Sequence, residues 1–182
     1  MLRKLCVIAA AAALVAAPLP SLAQGKKDSV VMGMTLEPPG LDPTNAAAAA
    51  IAEVTLYNVY ETLTKINEDG SVSPLLAESW QASPDLKTYT FKLRKGIKFH
   101  NGEPFDSAAV KFSFDRAAAP TSTNKDKSLY QAFASVTAPD PETVVVALKY
   151  SEPNLPFLLG QATGSIVEPK SAPTDATQPV GT

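Results

Sequence analysis

Residues 77–116 read AESWQASPDLKTYTFKLRKGIKFHNGEPFDSAAVKFSFDR, and this stretch carries the clearest structural pattern in the chain. Apolar side chains at Tyr89, Phe91 and Leu93 alternate with polar side chains between them. A period of two that is rich in aromatic residues and threonine predicts a strand with one buried face. Residues 75–80, which precede this strand, are predicted to form a short helix.

A turn and a helix are predicted after this strand. Asn101 and Gly102 form an Asn-Gly pair, which is the strongest turn signal in the stretch. Asp106 then precedes a run with helical spacing, and an aspartate in that place caps a helix by accepting hydrogen bonds from its first N–H groups. We therefore predict a helix that begins after Asp106 and has apolar side chains at Ala109, Val110, Phe112 and Phe114.

The flanking segments predict further short elements of both kinds. Strands are predicted at residues 30–34, 63–66, 136–139 and 143–148, and short helices at 129–133 and 157–159. A longer helix is predicted from Asn45 to Tyr60, because an alanine run is followed there by recurring apolar residues. The chain is therefore predicted to be a mixed α/β protein.

The composition excludes few classes of protein. The 182 residues include 16 basic and 18 acidic side chains, and this near balance does not favour nucleic acid as a partner. Apolar residues make up 45% of the chain, which is typical of a globular protein and does not indicate disorder. One basic cluster is interpreted as a solvated face on an edge strand rather than as an anion site; it consists of Lys92, Arg94, Lys95 and Lys98.

The N-terminus has the layout of a secretory signal peptide. Two basic residues precede an apolar run over residues 5–17, and small residues stand at positions −3 and −1 of a cleavage site in residues 21–23. The run is too short for a membrane span of about 20 residues, although an uncleaved anchor is the alternative. Cys6, the only cysteine, lies too early for lipidation. The mature chain is therefore expected to be periplasmic, unlipidated and without a membrane span.

Several stretches resemble the bacterial family 5 extracellular solute-binding proteins, the oligopeptide-, dipeptide- and nickel-binding receptors of ABC importers. Residues 77–102 are similar to the family signature, and the segment after Phe105 resembles the family's F-T-A-x-D-V-x-F-S helix, with Ala109 where an acidic residue is usual. Residues 37–43 are similar to its E-P-x-x-L-D-P loop. The resemblance implies a type II periplasmic-binding-protein fold, of the cluster that has an extra α/β subdomain.

The resemblance also implies a division of the chain. Residues 1–23 would be the signal peptide, 24–62 the start of lobe I, 63–173 the extra α/β subdomain, and 174–182 a truncated return to lobe I. The family has two lobes that enclose the ligand, and the sequence shows only part of lobe I plus the subdomain. The chain is therefore expected to be an N-terminal fragment that binds solute poorly alone.

The resemblance places ligand-binding residues in the loop at the cleft edge and at the end of the following helix. These residues are Thr35, Leu36, Glu37, Pro38, Tyr57 and Asn58. For Tyr57 the alternative is burial in the core, which is commoner for an aromatic residue on a helix. For Asp42, in the same loop, the alternative to a place in the cleft is a local turn in which its carboxylate accepts backbone N–H groups.

The function implied by the resemblance is that of the substrate-binding component of an ABC importer. Such a protein captures peptides or similar small solutes in the periplasm and delivers them to a permease complex in the inner membrane; we expect it to act as a monomer. No catalytic residue, cofactor or metal is predicted, since His100 is the only histidine and lies in a turn without an oriented partner. The alternatives are a truncated product that does not bind or serves as an interaction module, and, least favoured, a secreted hydrolase.

Overall fold

The computed structural model describes residues 29–45 and 48–182. The predicted signal peptide lies outside the described residues, as do two alanines of the predicted long helix. The chain divides into two compact units, of which the first ends at Thr35 and the second is Leu36–Thr182.

The described part of the first unit, residues 29–35, has no regular secondary structure and exposes its side chains. Val31, for example, is 95% exposed. The predicted strand at residues 30–34 is therefore wrong. A strand needs a neighbour for its backbone N–H and C=O groups, and no strand pairing among the described residues includes this segment.

The second unit contains short helices and two antiparallel sheets. In chain order its elements are α1 (Ala49–Thr55), β1 (Thr64–Ile66), β2 (Val72–Pro74), β3 (Ala77–Ala82), β4 (Thr88–Leu93), α2 (Ser107–Ala118), α3 (Lys127–Gln131), β5 (Phe133–Asp140), β6 (Thr143–Leu148), α4 (Leu155–Leu158) and a 3-10 turn (Ala162–Gly164). Within the described ranges, every helix is too short or too polar to cross a bilayer.

The main sheet has the strand order β3-β4-β6-β5, with all neighbours antiparallel, and β1 pairs with β2 in a separate small sheet. Phe91 of β4 lies opposite Val144 of β6, and Tyr89 lies opposite Val146. All four side chains are buried, as is Leu93 at the end of β4. The predicted strand with one buried face is therefore confirmed.

Helix α2 covers the buried face of the main sheet. It begins where the sequence predicts, because Asp106 Oδ1 accepts hydrogen bonds from the N–H groups of Ala108 and Ala109 at 2.9 and 3.1 Å. Phe114 of α2 is buried beside the rings of Tyr130 and Phe133, with centroid distances of 5.6 and 5.7 Å. These aromatic contacts join α2 and α3 to the edge strand β5.

Two helix predictions are wrong, the first because strand pairing outweighs helix propensity and the second because a local turn ends the helix early. Residues 77–80, predicted as helical, belong to β3, where Trp80 lies opposite Phe91. The helix predicted from Asn45 to Tyr60 reduces to α1, which ends at Thr55. The amide N–H groups of Val59 and Tyr60 both donate to the Thr55 carbonyl, so the chain closes into a tight turn instead of continuing the helix.

Contrary to the sequence-based prediction, the basic cluster does not lie on an edge strand. β4 is an interior strand between β3 and β6, not an edge strand. The Lys92 ammonium donates to Thr143 Oγ1 at 2.7 Å, and the Lys95 ammonium pairs with the Glu142 carboxylate at 2.8 Å. These side chains therefore connect β4 to the β5–β6 turn and do not shield an open edge.

Candidate functional site

The loop at residues 36–43, which carries three of the six predicted ligand-binding residues, is exposed at its start and buried at its end. Leu36 is 60% exposed and Glu37 is exposed, whereas Pro38 is half-buried. Near the end of the loop, the Leu41 N–H donates to the Ala176 carbonyl at 2.9 Å. Thr35, the last residue of the first unit, is exposed.

Asp42 anchors the buried end of the loop, and its side chain is only 5% exposed. Its Oδ1 accepts hydrogen bonds from the Thr44 N–H at 2.9 Å and from the Thr44 hydroxyl at 2.7 Å. These bonds form the local turn that is the alternative, for Asp42, to a place in the cleft. Its Oδ2 makes a further contact, because it accepts a hydrogen bond from the Arg116 guanidinium at 2.6 Å.

Arg116 reaches this loop from the last turn of α2. One guanidinium nitrogen donates to Asp42, and the other donates to the Thr44 hydroxyl at 2.6 Å. The nitrogen that donates to Asp42 also makes a longer contact, of 3.4 Å, with the Ala172 carbonyl. The guanidinium therefore joins three separate segments of the second unit. The sequence pattern does not predict this role, although Arg116 lies three residues after the buried Ser113 and so on the inner side of the helix.

A second carboxylate, that of Asp175, is buried in the same region. Its Oδ1 accepts hydrogen bonds from the Ser171 hydroxyl at 3.0 Å and the Val180 N–H at 3.3 Å, while Oδ2 has no partner among the described residues. Burial raises the pKa of Asp175; these two hydrogen bonds oppose the rise, and the Asp42 carboxylate adds to it. Nothing in the sequence pattern around Asp175 predicts that its carboxylate is buried.

Tyr60 completes this buried polar group. Its hydroxyl has no hydrogen-bond partner among the described residues, and its ring is fully buried. Burial raises the pKa of the Tyr60 phenol well above its usual range, and the charges of Asp175 and Asp42 raise that pKa further. The phenol is therefore neutral at any ordinary pH, and it lies in a polar cluster rather than on the apolar face of a helix.

Tyr57 lies in the turn after α1 and not on a helix. Its φ is +62°, the left-handed region that side chains other than glycine seldom adopt. Its ring is partly open to solvent, with 38% of the residue exposed. The Lys65 ammonium lies 5.3 Å from the ring centroid, within the range of a cation–π contact. The sequence-based alternative, burial of Tyr57 in the core, is therefore not what the structure shows.

The predicted site residues do not converge on one cavity. Asn58 is exposed, and its side-chain amide donates to the Val54 carbonyl at 3.1 Å. Tyr57 borders an open concavity of about 680 Å³ that also includes Lys65 and Asn67. The loop borders a different concavity of about 130 Å³, at Pro39, Gly40 and Asp42. Across residues 29–45 and 48–182, no cluster of three His, Cys, Asp or Glu residues could hold a metal ion.

Comparison with known proteins establishes the family of the chain. Residues 71–182 match the family described as bacterial extracellular solute-binding proteins, family 5 Middle. The chain belongs to this family. The matched range contains the main sheet, α2 and Asp175, whereas the loop at 36–43 and Tyr57 precede it.

Individual relatives agree with this family assignment. The glutathione-binding protein GsiB of Shigella dysenteriae serotype 1 is 38% identical over 136 residues, which are 75% of this chain and 26% of GsiB. GsiB of Escherichia coli strain K12 is 39% identical over 109 residues, covering 60% of this chain and 21% of that protein. The chain thus spans about a fifth to a quarter of the length of these family 5 relatives.

Solved structures show the same fold. The binding protein AgaA of Agrobacterium tumefaciens R10, in complex with agropinic acid, has a TM-score of 0.74 and 31% identity, covering 80% of this chain and 30% of AgaA. OppA of Haemophilus influenzae, in complex with the peptide RPPGFSPFR, has a TM-score of 0.69 and 27% identity, covering 75% and 30%. The predicted family and fold class are therefore confirmed: this family 5 chain has the mixed α/β fold of part of a type II periplasmic binding protein.

Proposed function

We propose that the chain forms part of the substrate-binding component of an ABC importer. In this role it captures a peptide or similar small solute in the periplasm, where the predicted signal peptide would deliver it, and passes the solute to a membrane permease. The family match over residues 71–182 carries this proposal. Further support comes from the ligands of its relatives, since GsiB is named for glutathione, itself a tripeptide, and OppA was solved with a nonapeptide.

The proposed division of the chain follows the predicted boundaries. Residues 63–173 would form the extra α/β subdomain, and residues 24–62 and 174–182 would belong to lobe I. The distribution of the main core supports this division, because its fully buried members run from Leu63 to Ile166. A smaller cluster around Tyr60, Val167 and Ala172 would then lie where the subdomain joins lobe I.

We propose that solute contacts Leu36, Glu37, Pro38, Tyr57 and Asn58; Thr35 is proposed on the sequence resemblance alone. The conformation of Tyr57 supports its role, because strained backbone at a partly exposed aromatic residue is more typical of ligand-binding sites than of scaffolds. Binding would involve no bond chemistry. The solute would stabilise a closed arrangement of the family's two lobes through its higher affinity for that state.

Thermal unfolding with and without solute tests this proposal. Reduced glutathione or a pool of short peptides is expected to raise the unfolding temperature, because a ligand that binds only the folded state stabilises it. The expected rise is small, since the matches cover only 21–26% of the GsiB relatives. Tyr57→Ala should abolish the solute-induced rise by removing the exposed ring.

Tyr150→Ala is the matched control, because Tyr150 is also exposed, at 54%, but borders a different concavity from the one that Tyr57 borders. It should leave the solute-induced rise unchanged. An equal rise in the wild type and Tyr57→Ala would contradict the role of Tyr57. Failure of every solute to raise the unfolding temperature of the wild type would contradict solute capture by this chain.

A further inference from the structure

The exposed start of the loop at residues 36–43 has little support of its own. Leu36, Glu37 and Pro38 make no hydrogen bond to any other described residue. Their position depends on the buried end of the loop, where the Leu41 N–H meets the Ala176 carbonyl and Asp42 meets Arg116. The position of the proposed solute contacts is therefore set by a small number of interactions several residues away.

Arg116 is the member of this group with the most rigid support. It lies in the last turn of α2, a helix of 12 residues that is capped by Asp106 and buried against the main sheet along Val110 and Phe114. Its side chain is 24% exposed, and that of Asp42 is 5% exposed, so water screens the pair only weakly. The contact thus links the loop to a helix that packs in the main core.

The geometry of the contact requires an arginine. The two terminal guanidinium nitrogens donate to different acceptors, Asp42 Oδ2 and the Thr44 hydroxyl, each at 2.6 Å. The planar fork of arginine presents two parallel donors in a fixed arrangement, whereas the ammonium of lysine is a point charge. A lysine at this position could pair with Asp42 without holding Thr44 in the same orientation.

We propose that Arg116 is a positioning residue for solute binding: it holds Asp42 and Thr44 and thereby fixes the loop that presents Leu36, Glu37 and Pro38. The consequence for solute rests on the proposed function, whereas the ordering of the loop does not. A purely structural role would weaken the whole fold when Arg116 is replaced. A positioning role loosens the loop while the main sheet stays intact.

Amide hydrogen exchange of the full 182-residue chain separates these two roles. Arg116→Met keeps an apolar stem and removes the guanidinium. We expect the amides of Leu41 and Thr44 to exchange at least about tenfold faster, because each lies in a hydrogen bond that depends on the position of the loop. The amides of Phe91 and Val144 in the main sheet should keep their exchange rates.

Two further variants and a matched control complete the experiment. Arg116→Lys should give an intermediate increase, and Asp42→Asn, which keeps the shape of the side chain but not its charge, tests the same contact if Arg116→Met fails to fold. Lys111→Met is the control, because Lys111 pairs with Asp115 on the exposed side of the same helix, and it should change no loop amide.

Unchanged exchange at Leu41 and Thr44, or equal acceleration there and in the main sheet, would overturn the proposal. The experiment uses no solute, so its result is independent of whether the chain binds one. If the loop amides respond as expected while no solute raises the unfolding temperature, the positioning of the loop by Arg116 stands and the proposed function fails.

Discussion

Phe91→Ala is expected to lower the free energy of unfolding by about 3–5 kcal/mol, the usual cost of truncating a fully buried phenylalanine. Phe91 is 0% exposed, lies in the interior strand β4 and faces Val144 across the sheet. Its ring also stacks on Tyr89, with a centroid distance of 6.3 Å. Removing it leaves a cavity in the main core, among side chains that are themselves buried.

Urea denaturation followed by circular dichroism measures this loss. The control is Thr90→Ala, because Thr90 is the next residue of the same strand and faces the opposite side of the sheet, where it is only half-buried. Its replacement should cost less than about 1 kcal/mol, mainly through β-propensity. Equal destabilisation by the two substitutions would contradict the assignment of the buried face.

Asp175→Asn is expected to stabilise the chain relative to the wild type at neutral pH, and this advantage should shrink as the pH is lowered. The pKa of Asp175 is raised in the folded state, chiefly by burial. A raised folded-state pKa makes a contribution to stability that is complete below the unfolded-state pKa and lost as the pH rises through the folded-state value. Asparagine keeps the acceptor for Ser171 and Val180 but carries no charge to bury.

The measurement is the difference in unfolding free energy between Asp175→Asn and the wild type at several values from about pH 4 to about pH 7. Asp69→Asn provides a control of opposite sign. Hydrogen bonds from the Ser71 hydroxyl and N–H lower the pKa of Asp69, so its contribution is present at higher pH and lost on acidification. Asp69→Asn should therefore be most harmful near neutral pH. A pH-independent difference for Asp175→Asn would contradict the account of that buried carboxylate.

The features that the sequence predicts correctly depend on neighbours in the chain. The alternation of Tyr89, Phe91 and Leu93 is visible within six residues and gives β4 and its buried face. Asp106 caps α2 through amides two and three residues later, a pattern equally local. The family resemblance, which rests on such local patterns, is confirmed by the match over residues 71–182.

The features that the sequence does not predict depend on distant partners. Residues 77–80 form a strand because they pair with β4. Their own sequence favours a helix, so the strand cannot be predicted from them alone. Asp42 and Arg116 are 74 residues apart in the chain, so neither position identifies the other. The buried cluster of Asp42, Tyr60 and Asp175 therefore emerges only from the fold, and the predicted solute contacts remain predictions.

The most direct test of solute capture is a residue-resolved titration of the chain by NMR. Reduced glutathione and a short-peptide pool would be added separately, and amide chemical shifts followed, since each shift change also reports the residue that the solute affects. The account predicts shift changes that saturate and are concentrated at Leu36, Glu37, Tyr57 and Asn58, and that are lost in Tyr57→Ala. Saturating changes located elsewhere, or no change with either solute, would contradict it.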